Sequence, residues 1–229
     1  MALVLLTDRL WLKDFGMTDI FMNWLLLVTV FGVAVVSPGP DLVMAIRNSL
    51  QSRRAGLFTA LGFGLAVLLH VTYTIAGLAA VIAKSILLFS ILKYAGAAYL
   101  FYVGIKALRS RGMNADEAEM QAASPRAPMT DLMAVRSGFI TNLFNPKATM
   151  FFLALFSQII HPEYSIAIQA AFGITCSLMV IGWFSIVSIV LNTPKIRAKF
   201  MRASKWIDRT CGAFFLALGV RLALTKAAA

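Results

Sequence analysis

Acidic side chains are scarce in this sequence: ten Asp and Glu stand against 21 Lys and Arg in 229 residues. Histidine and cysteine are scarcer still, at two each. Cys176 and Cys211 lie apart in apolar segments, with no C-x-x-C pair and no His/Cys cluster, so the pattern signals neither a redox couple nor a metal site. Both read as small packing residues. Cations want carboxylates, imidazoles or thiolates gathered together, and Asp41 and His70 have no evident companions. A catalytic pair for intramembrane chemistry and a thiol couple for electron transfer are missing too. The expectation is a protein that is not an enzyme and carries no cofactor and no metal. Nucleic acid is excluded as a partner, because the basic excess carries no interleaved aromatics.

What the chain has is apolar length. Hydrophobic residues make up 60% of it, charged residues only 14%, and its mean hydropathy is +0.81. A helix needs about 20 apolar residues to cross a bilayer, and runs of that kind lie near 20–37, 56–82, 86–108, 137–160, 165–191 and 206–225. The expected fold is an all-α polytopic membrane protein with about six spans and membrane lipid around them. The start, "MALVLLTDRLWLKDFGMTDI", places Asp8, Arg9, Lys13 and Asp14 where a signal peptide needs an unbroken apolar core. Residues 1–19 therefore read as an N-terminal extension, either an interfacial helix or residues preceding a true start at Met17.

The net charge of +11 sits in the connections and sets topology. Arg47, Arg53, Arg54, Arg109, Arg111, Arg126, Arg136, Lys195, Arg197, Lys199, Arg202 and Lys205 follow the first, third and fifth spans; Arg9, Lys13, Lys84, Arg221 and Lys226 lie on the other side. Twelve against five places the odd-numbered connections in the cytoplasm and both termini outside. The one polar, proline-containing interior stretch, residues 109–134, divides the chain into a first three-helix repeat, 20–108, and a second, 135–229. Three spans each means that the second half enters the membrane in the opposite sense, as inverted repeats do. "KYAGAAYLFYVGIKAL" and "RTCGAFFLALGVRLAL" close the two halves with matching features: Gly96 and Gly104 set against Gly212 and Gly219 across a one-residue gap.

The openings of the halves match as well. "FGVAVVSPGPDLVM" from Phe31 and "FITNLFNPKATMFF" from Phe139 each put a Ser-Pro or Asn-Pro pair after a Phe at the same interval. Ser37 and Asn145 are favoured N-caps, and Pro38 and Pro146 suit a first helical position, where no amide hydrogen is needed. Each motif predicts a helix that restarts inside an apolar region, which is tolerated only where the freed backbone lines a cavity or is packed by protein. A membrane scaffold would gain nothing from such breaks.

These residues carry a resemblance to a known family. "SPGPD", "AGAAYLFYVGIKALR", "GFITNLFNPKA" and "WIDRTCGAFFLALGVRLAL", in this order from about Asp19 to Thr225, resemble the lysine exporter (LysE-type) superfamily, specifically its homoserine/threonine resistance branch. The resemblance implies a multi-pass protein of the bacterial inner membrane that exports amino acids, coupled to protons and needing no prosthetic group. Neutral cargo such as threonine, homoserine or branched-chain amino acids fits that branch. The alternative is a metal-ion or other small-solute carrier on the same fold.

An amino acid brings a carboxylate and an ammonium. The candidate substrate-binding residues are Ser37, Pro38, Gly39, Pro40 and Asp41 at the first break, and Asn142, Asn145, Pro146 and Lys147 at the second. The carboxylate is assigned to backbone around Ser37, Gly39 and Asn145 with Lys147, because a helix start offers free N–H groups and the positive pole of its dipole. Gly39 lets a ligand approach the backbone. Asp41 faces the ammonium, carries the coupling proton, or only favours the start of its helix. Lys147 is a ligand or snorkels to an interface. His70 shares a small polar stripe with Thr59, Ala66, Thr74 and Gly77; it relays a proton or forms a neutral interhelical hydrogen bond. Gln169, Ser177 and Trp183 are further cavity candidates. The small-xxx-small pattern "AFFLA" at 213–217 suits helix packing in a homodimer.

Overall fold

The computed structural model describes residues 2–113, 129–159 and 164–224, and these form eight helices and no strand. They are α1 (Ala2–Val36), α2 (Pro40–Gln51), α3 (Arg53–Lys84), α4 (Ile86–Leu108), α5 (Asp131–Leu143), α6 (Pro146–Ile159), α7 (Ile166–Val190) and α8 (Pro194–Leu224). The expected loop 109–134 lies mostly outside the described residues, and the expected N-terminal segment is helical and continuous with the first span. Hydroxyl side chains start four of the helices: Ser52, Ser85, Thr130 and Ser165 each accept a hydrogen bond from the backbone N–H three residues on, in α3, α4, α5 and α7.

Among the described residues, four helices are long and apolar enough to cross a membrane: Gly16–Val36, Arg53–Leu78, Ser90–Leu108 and Ile166–Val190. They match four of the six expected runs. The run 137–160 is not one helix, because the chain breaks at 144–145 and leaves α5 and α6 with 13 and 14 residues. The run 206–225 is the second half of the 31-residue α8, where Asp208, Arg209 and Arg221 dilute the apolar character.

The first break, at 37–39, differs in detail from the sequence expectation. Helix α2 restarts at Pro40 with Gly39 as its N-cap and no side-chain cap, so Pro40 rather than Pro38 takes the first helical position. The Ser37 hydroxyl is engaged elsewhere, as described below. At the second break the expectation holds: Asn145 Oδ1 accepts from Lys147 N at 3.0 Å, and Pro146 opens α6. The half-helices α2 and α5 have 12 and 13 residues, or about 18–20 Å at 1.5 Å per residue. Their ends remote from the breaks are tied together by Arg54, whose guanidinium donates two hydrogen bonds to Asp131 at 2.9 and 2.7 Å. Both breaks therefore lie at similar distances from that tie.

Lipid tails are as apolar as Leu, so burial alone does not press membrane helices together; close approach at small residues does. A Cβ on Gly62 of α3 would stand 2.1 Å from Val135 O, and one on Gly138 of α5 2.2 Å from Thr59 O. Helices α4 and α8 meet the same way, with a Cβ on Gly104 2.9 Å from Gly212 O and one on Gly212 2.7 Å from Gly104 O. On α7, Ser177 Oγ donates to Gly64 O at 3.0 Å, and Ile181 Cδ1 would lie 2.5 Å from a Cβ on Gly64. The packing thus gathers α2, α5 and α7 around α3, pairs α4 with α8, and lets α1 and α6 touch both groups. The chain after α4 is pinned to α8: Ser110 Oγ donates to Asp208 Oδ2 at 2.5 Å, Met113 N donates to Ser204 Oγ at 2.8 Å, and Gly112 turns between them with a φ of +84°.

Candidate functional site: a cavity between two broken helices

The two breaks face each other. Asp41, in the first turn of α2, accepts from Asn142 Nδ2 at 2.9 Å and from Asn145 Nδ2 at 3.2 Å, both on Oδ2. Its other oxygen, Oδ1, is buried and has no hydrogen-bond partner among the described residues. Lys147, in the first turn of α6, reaches back across the gap. Its Nζ donates to Ser37 Oγ at 2.8 Å, to Ser37 O at 3.1 Å and to Pro38 O at 3.4 Å, with the Phe215 ring centroid 5.9 Å away. One carboxylate, one ammonium and two carboxamides are thereby brought together from helices distant in sequence.

They border a cavity of about 50 Å³ whose other walls are apolar, including Phe31, Val67, Phe152 and Phe184. An aromatic cluster holds those walls: Phe31 lies 5.4 Å from Phe152 and 5.9 Å from Phe151 between ring centroids, and Phe63 lies 4.7 Å from Phe184. A larger cavity of about 1110 Å³ begins on the other side of the breaks and extends along α4 past Tyr99, Tyr102 and Lys106 to Arg109, Ser110 and Asp208. Ser37, Gly39, Asn145 and Lys147 line both cavities. They stand where the two meet.

Of the nine candidate binding residues, Ser37, Gly39, Asp41, Asn142, Asn145 and Lys147 border the smaller cavity, and Pro38, Pro40 and Pro146 line only the larger. The backbone that meets Lys147 at the first break is carbonyl rather than amide. This departs from the expectation of N–H donors there, and the reason is local: Pro38 and Pro40 have no N–H to give, and the carbonyls of Ser37 and Pro38 stand just past the C-terminal end of α1. Lys147 is turned into the protein rather than toward an interface.

His70 is hydrogen-bonded between helices. Its Nε2 bonds the Asn142 backbone oxygen at 3.1 Å, its Nδ1 pairs with the Tyr73 hydroxyl, and its ring stacks on Phe152 at 5.7 Å. A carbonyl can only accept, so Nε2 carries a hydrogen, and in the neutral ring Nδ1 accepts from the Tyr73 hydroxyl. Because the Asn142 side chain holds Asp41, His70 is connected to the carboxylate through one residue. Gln169, Ser177 and Trp183 line neither cavity; Gln169 bonds Tyr164 O and Ser177 bonds Gly64 O. Sequence reasoning missed the phenylalanine walls and Tyr73, whose only signal was its place three residues after His70. At the exposed start of α5, hydrogen bonds from the Arg54 guanidinium hold the Asp131 carboxyl below its ordinary value. Among the described residues no three His, Cys, Asp or Glu side chains gather as a metal site.

A family model described as LysE type translocator matches residues 32–226. The threonine efflux protein of Salmonella typhimurium strain LT2 is 30% identical over 196 residues, covering 85% of this chain and 94% of the relative. The threonine efflux protein of Escherichia coli K12 is 29% identical over 212 residues, covering 90% and 99%. An uncharacterized membrane protein of Bacillus subtilis 168, YrhP, is 27% identical over 206 residues, covering 86% and 97%. No solved structure matches the chain.

Proposed function

Because the chain belongs to the LysE type translocator family, we propose that this multi-pass inner-membrane protein exports neutral amino acids by proton-coupled alternating access, with the cargo held between its two broken helices. The observation that carries the reading is the meeting of Asp41, Lys147, Asn142 and Asn145 at the edge of an apolar cavity. A zwitterion needs one group of each charge, and a buried charge must be paired to be tolerated. The phenylalanine and valine walls suit a side chain without charge. Threonine is the first cargo to test, from the names of the Salmonella and Escherichia relatives.

The six-span inverted repeat belongs to the same proposal. Two observations support it: the two breaks come at corresponding places, and Gly104 meets Gly212 while Gly219 lies against Ala97, beside Gly96. A two-fold axis between α4 and α8 would produce that pairing. Coupling is assigned to Asp41, which can hold a proton on Oδ1, with His70 steadying Asn142 behind it. Between one state and the other, the cavity next to Tyr99, Tyr102 and Lys106 closes as the breaks open to the opposite side.

The test is counterflow in proteoliposomes. Vesicles loaded with unlabelled threonine should accumulate labelled threonine, and a panel of neutral amino acids should compete better than lysine or glutamate. No uptake of any amino acid above protein-free vesicles would dispose of the export reading.

A further inference from the structure

Lys147 is an unusual ligand for the place it occupies. Three acceptors, Ser37 Oγ, Ser37 O and Pro38 O, meet its three N–H donors, and none is a carboxylate. The set follows from the sequence "SPGP". Carbonyls past the last turn of a helix lack intrahelical donors and sit at the negative pole of its dipole. The prolines remove the N–H groups that would otherwise compete. The Phe215 ring 5.9 Å away adds a face that attracts cations. Nothing in this arrangement is particular to a lysine; it suits any primary ammonium. An amino acid bound between the breaks has one.

We infer that Ser37 and Pro38 form a cage for a primary ammonium which Lys147 occupies here, and which the cargo's own ammonium takes over as Lys147 turns to the cargo's carboxylate. This rests on the reading of the chain as an amino-acid exporter. The exchange keeps the charges balanced at each stage. The cage loses one ammonium and gains another, Lys147 gains a carboxylate, and Asp41 Oδ1, buried in the same cavity without a partner, accepts a further hydrogen bond. A plain amine or a plain carboxylic acid completes only half of the exchange and leaves a buried charge unpaired, which is costly. Selection for the zwitterion is thereby built into the swap. Lys147 also lines both cavities, so its departure from the cage opens the way between them. A Cβ on Gly39 would lie 3.8 Å from Lys147 Nζ, and a hydrogen in its place leaves room for the side chain to move.

The test fills the cage without using transport. In the detergent-purified full chain carrying Lys147→Met, ethylammonium chloride should raise the melting temperature by roughly 2–4 °C at about five times its dissociation constant. Tetramethylammonium chloride, which has no N–H, should not, and neither salt should move the wild type, whose cage is filled. No rise in a folded Lys147→Met chain, or an equal rise in wild type, overturns the inference. If that variant does not insert, Ser37→Ala gives a second measurement: it loosens Lys147 by one charged hydrogen bond, so reductive methylation of Lys147 should quicken about tenfold over wild type. Unchanged labelling overturns the cage. Counterflow separates the two readings: failed counterflow with ethylammonium rescue intact removes the export reading alone, and working counterflow with neither rescue nor faster labelling removes the cage alone.

Discussion

At the scale of single residues, Asp41 divides the two tasks the site must perform. Asp41→Asn keeps the start of α2 and can still meet Asn142 and Asn145, but it removes the charge. If Asp41 carries the coupling proton, the variant loses gradient-driven accumulation and retains exchange of labelled for unlabelled threonine, a step that need not release the proton. A charged contact to the ammonium is worth about 1.5–3 kcal/mol, or roughly ten- to a hundredfold in affinity, so a carboxylate that only binds would lower exchange and driven export together. Export at the wild-type rate across pH would show Asp41 to be a helix-start residue. Gly39 is a sharper test of space than of backbone, because its φ of −178° is open to any residue. Gly39→Ala should be tolerated, since the added Cβ would make ordinary contact with Lys147; Gly39→Val should abolish transport while insertion, followed on a membrane blot, stays normal. Ser37, Asn145 and Lys147 were legible in the sequence as types because prolines mark the breaks. Which atoms they present was not. The acceptors of Ser37 and Pro38 meet a side chain 110 and 109 residues away, and no local pattern records that pairing.

At the scale of helices, the apolar runs and the two breaks could be read because each rests on nearby residues: about 20 apolar residues for a span, a proline and a cap for a restart. Helix pairing could not. Gly62 and Gly138 look alike to any local reading, yet they bring α3 and α5 into backbone contact, whereas Gly77 and Gly182 have nothing within 4 Å of an added Cβ. The repeat match at Gly96, Gly104, Gly212 and Gly219 was visible because it recurs in the sequence; Gly104, Gly212 and Gly219 sit at the α4–α8 crossing, and Gly96 packs first on Ala154 of α6. The prediction is a contrast between equal substitutions. Gly138→Ala should force the α3–α5 crossing apart and cost on the order of 1–3 kcal/mol, while Gly77→Ala and Gly182→Ala should leave the thermal melt of the purified protein unmoved. Equal melts for all three would mean that this crossing does not limit stability. The Arg54–Asp131 pair, by contrast, is exposed, with 73% and 39% of the two side chains accessible, and pairs of that kind contribute little. Asp131→Asn should leave the melt near wild type.

At the scale of the whole molecule, charge and length have to agree on how the chain crosses the membrane. Helix α8 has 31 residues, about 46 Å against a hydrocarbon core of about 30 Å, so if it makes the sixth crossing roughly ten of its residues lie beyond the core. Its first twelve include Lys195, Arg197, Lys199, Arg202 and Lys205, whereas the last turn brings only Arg221; the excess length belongs at the basic end. The same end of the molecule holds Arg109, Ser110 and Asp208 at the mouth of the larger cavity, and Arg54 with Asp131 where the half-helices α2 and α5 stop. Basic connections stay in the cytoplasm, so on the proposed topology the larger cavity should face the compartment from which an exporter takes its cargo. A reporter fused after Arg109 or after Lys199 should therefore be cytoplasmic. One fused after Ala229 should be external, because α8 then crosses outward and the two half-helices α5 and α6 together make one crossing. Four crossings by the apolar helices alone would also return the chain to its starting side, so the C-terminal reporter cannot separate six spans from four unless it is paired with one placed between α6 and α7, after Tyr164. Six spans put the Tyr164 reporter outside and the Arg109 reporter inside. If both are found on the same side, α5 and α6 dip into the membrane and return, and the site between the breaks loses its second route out.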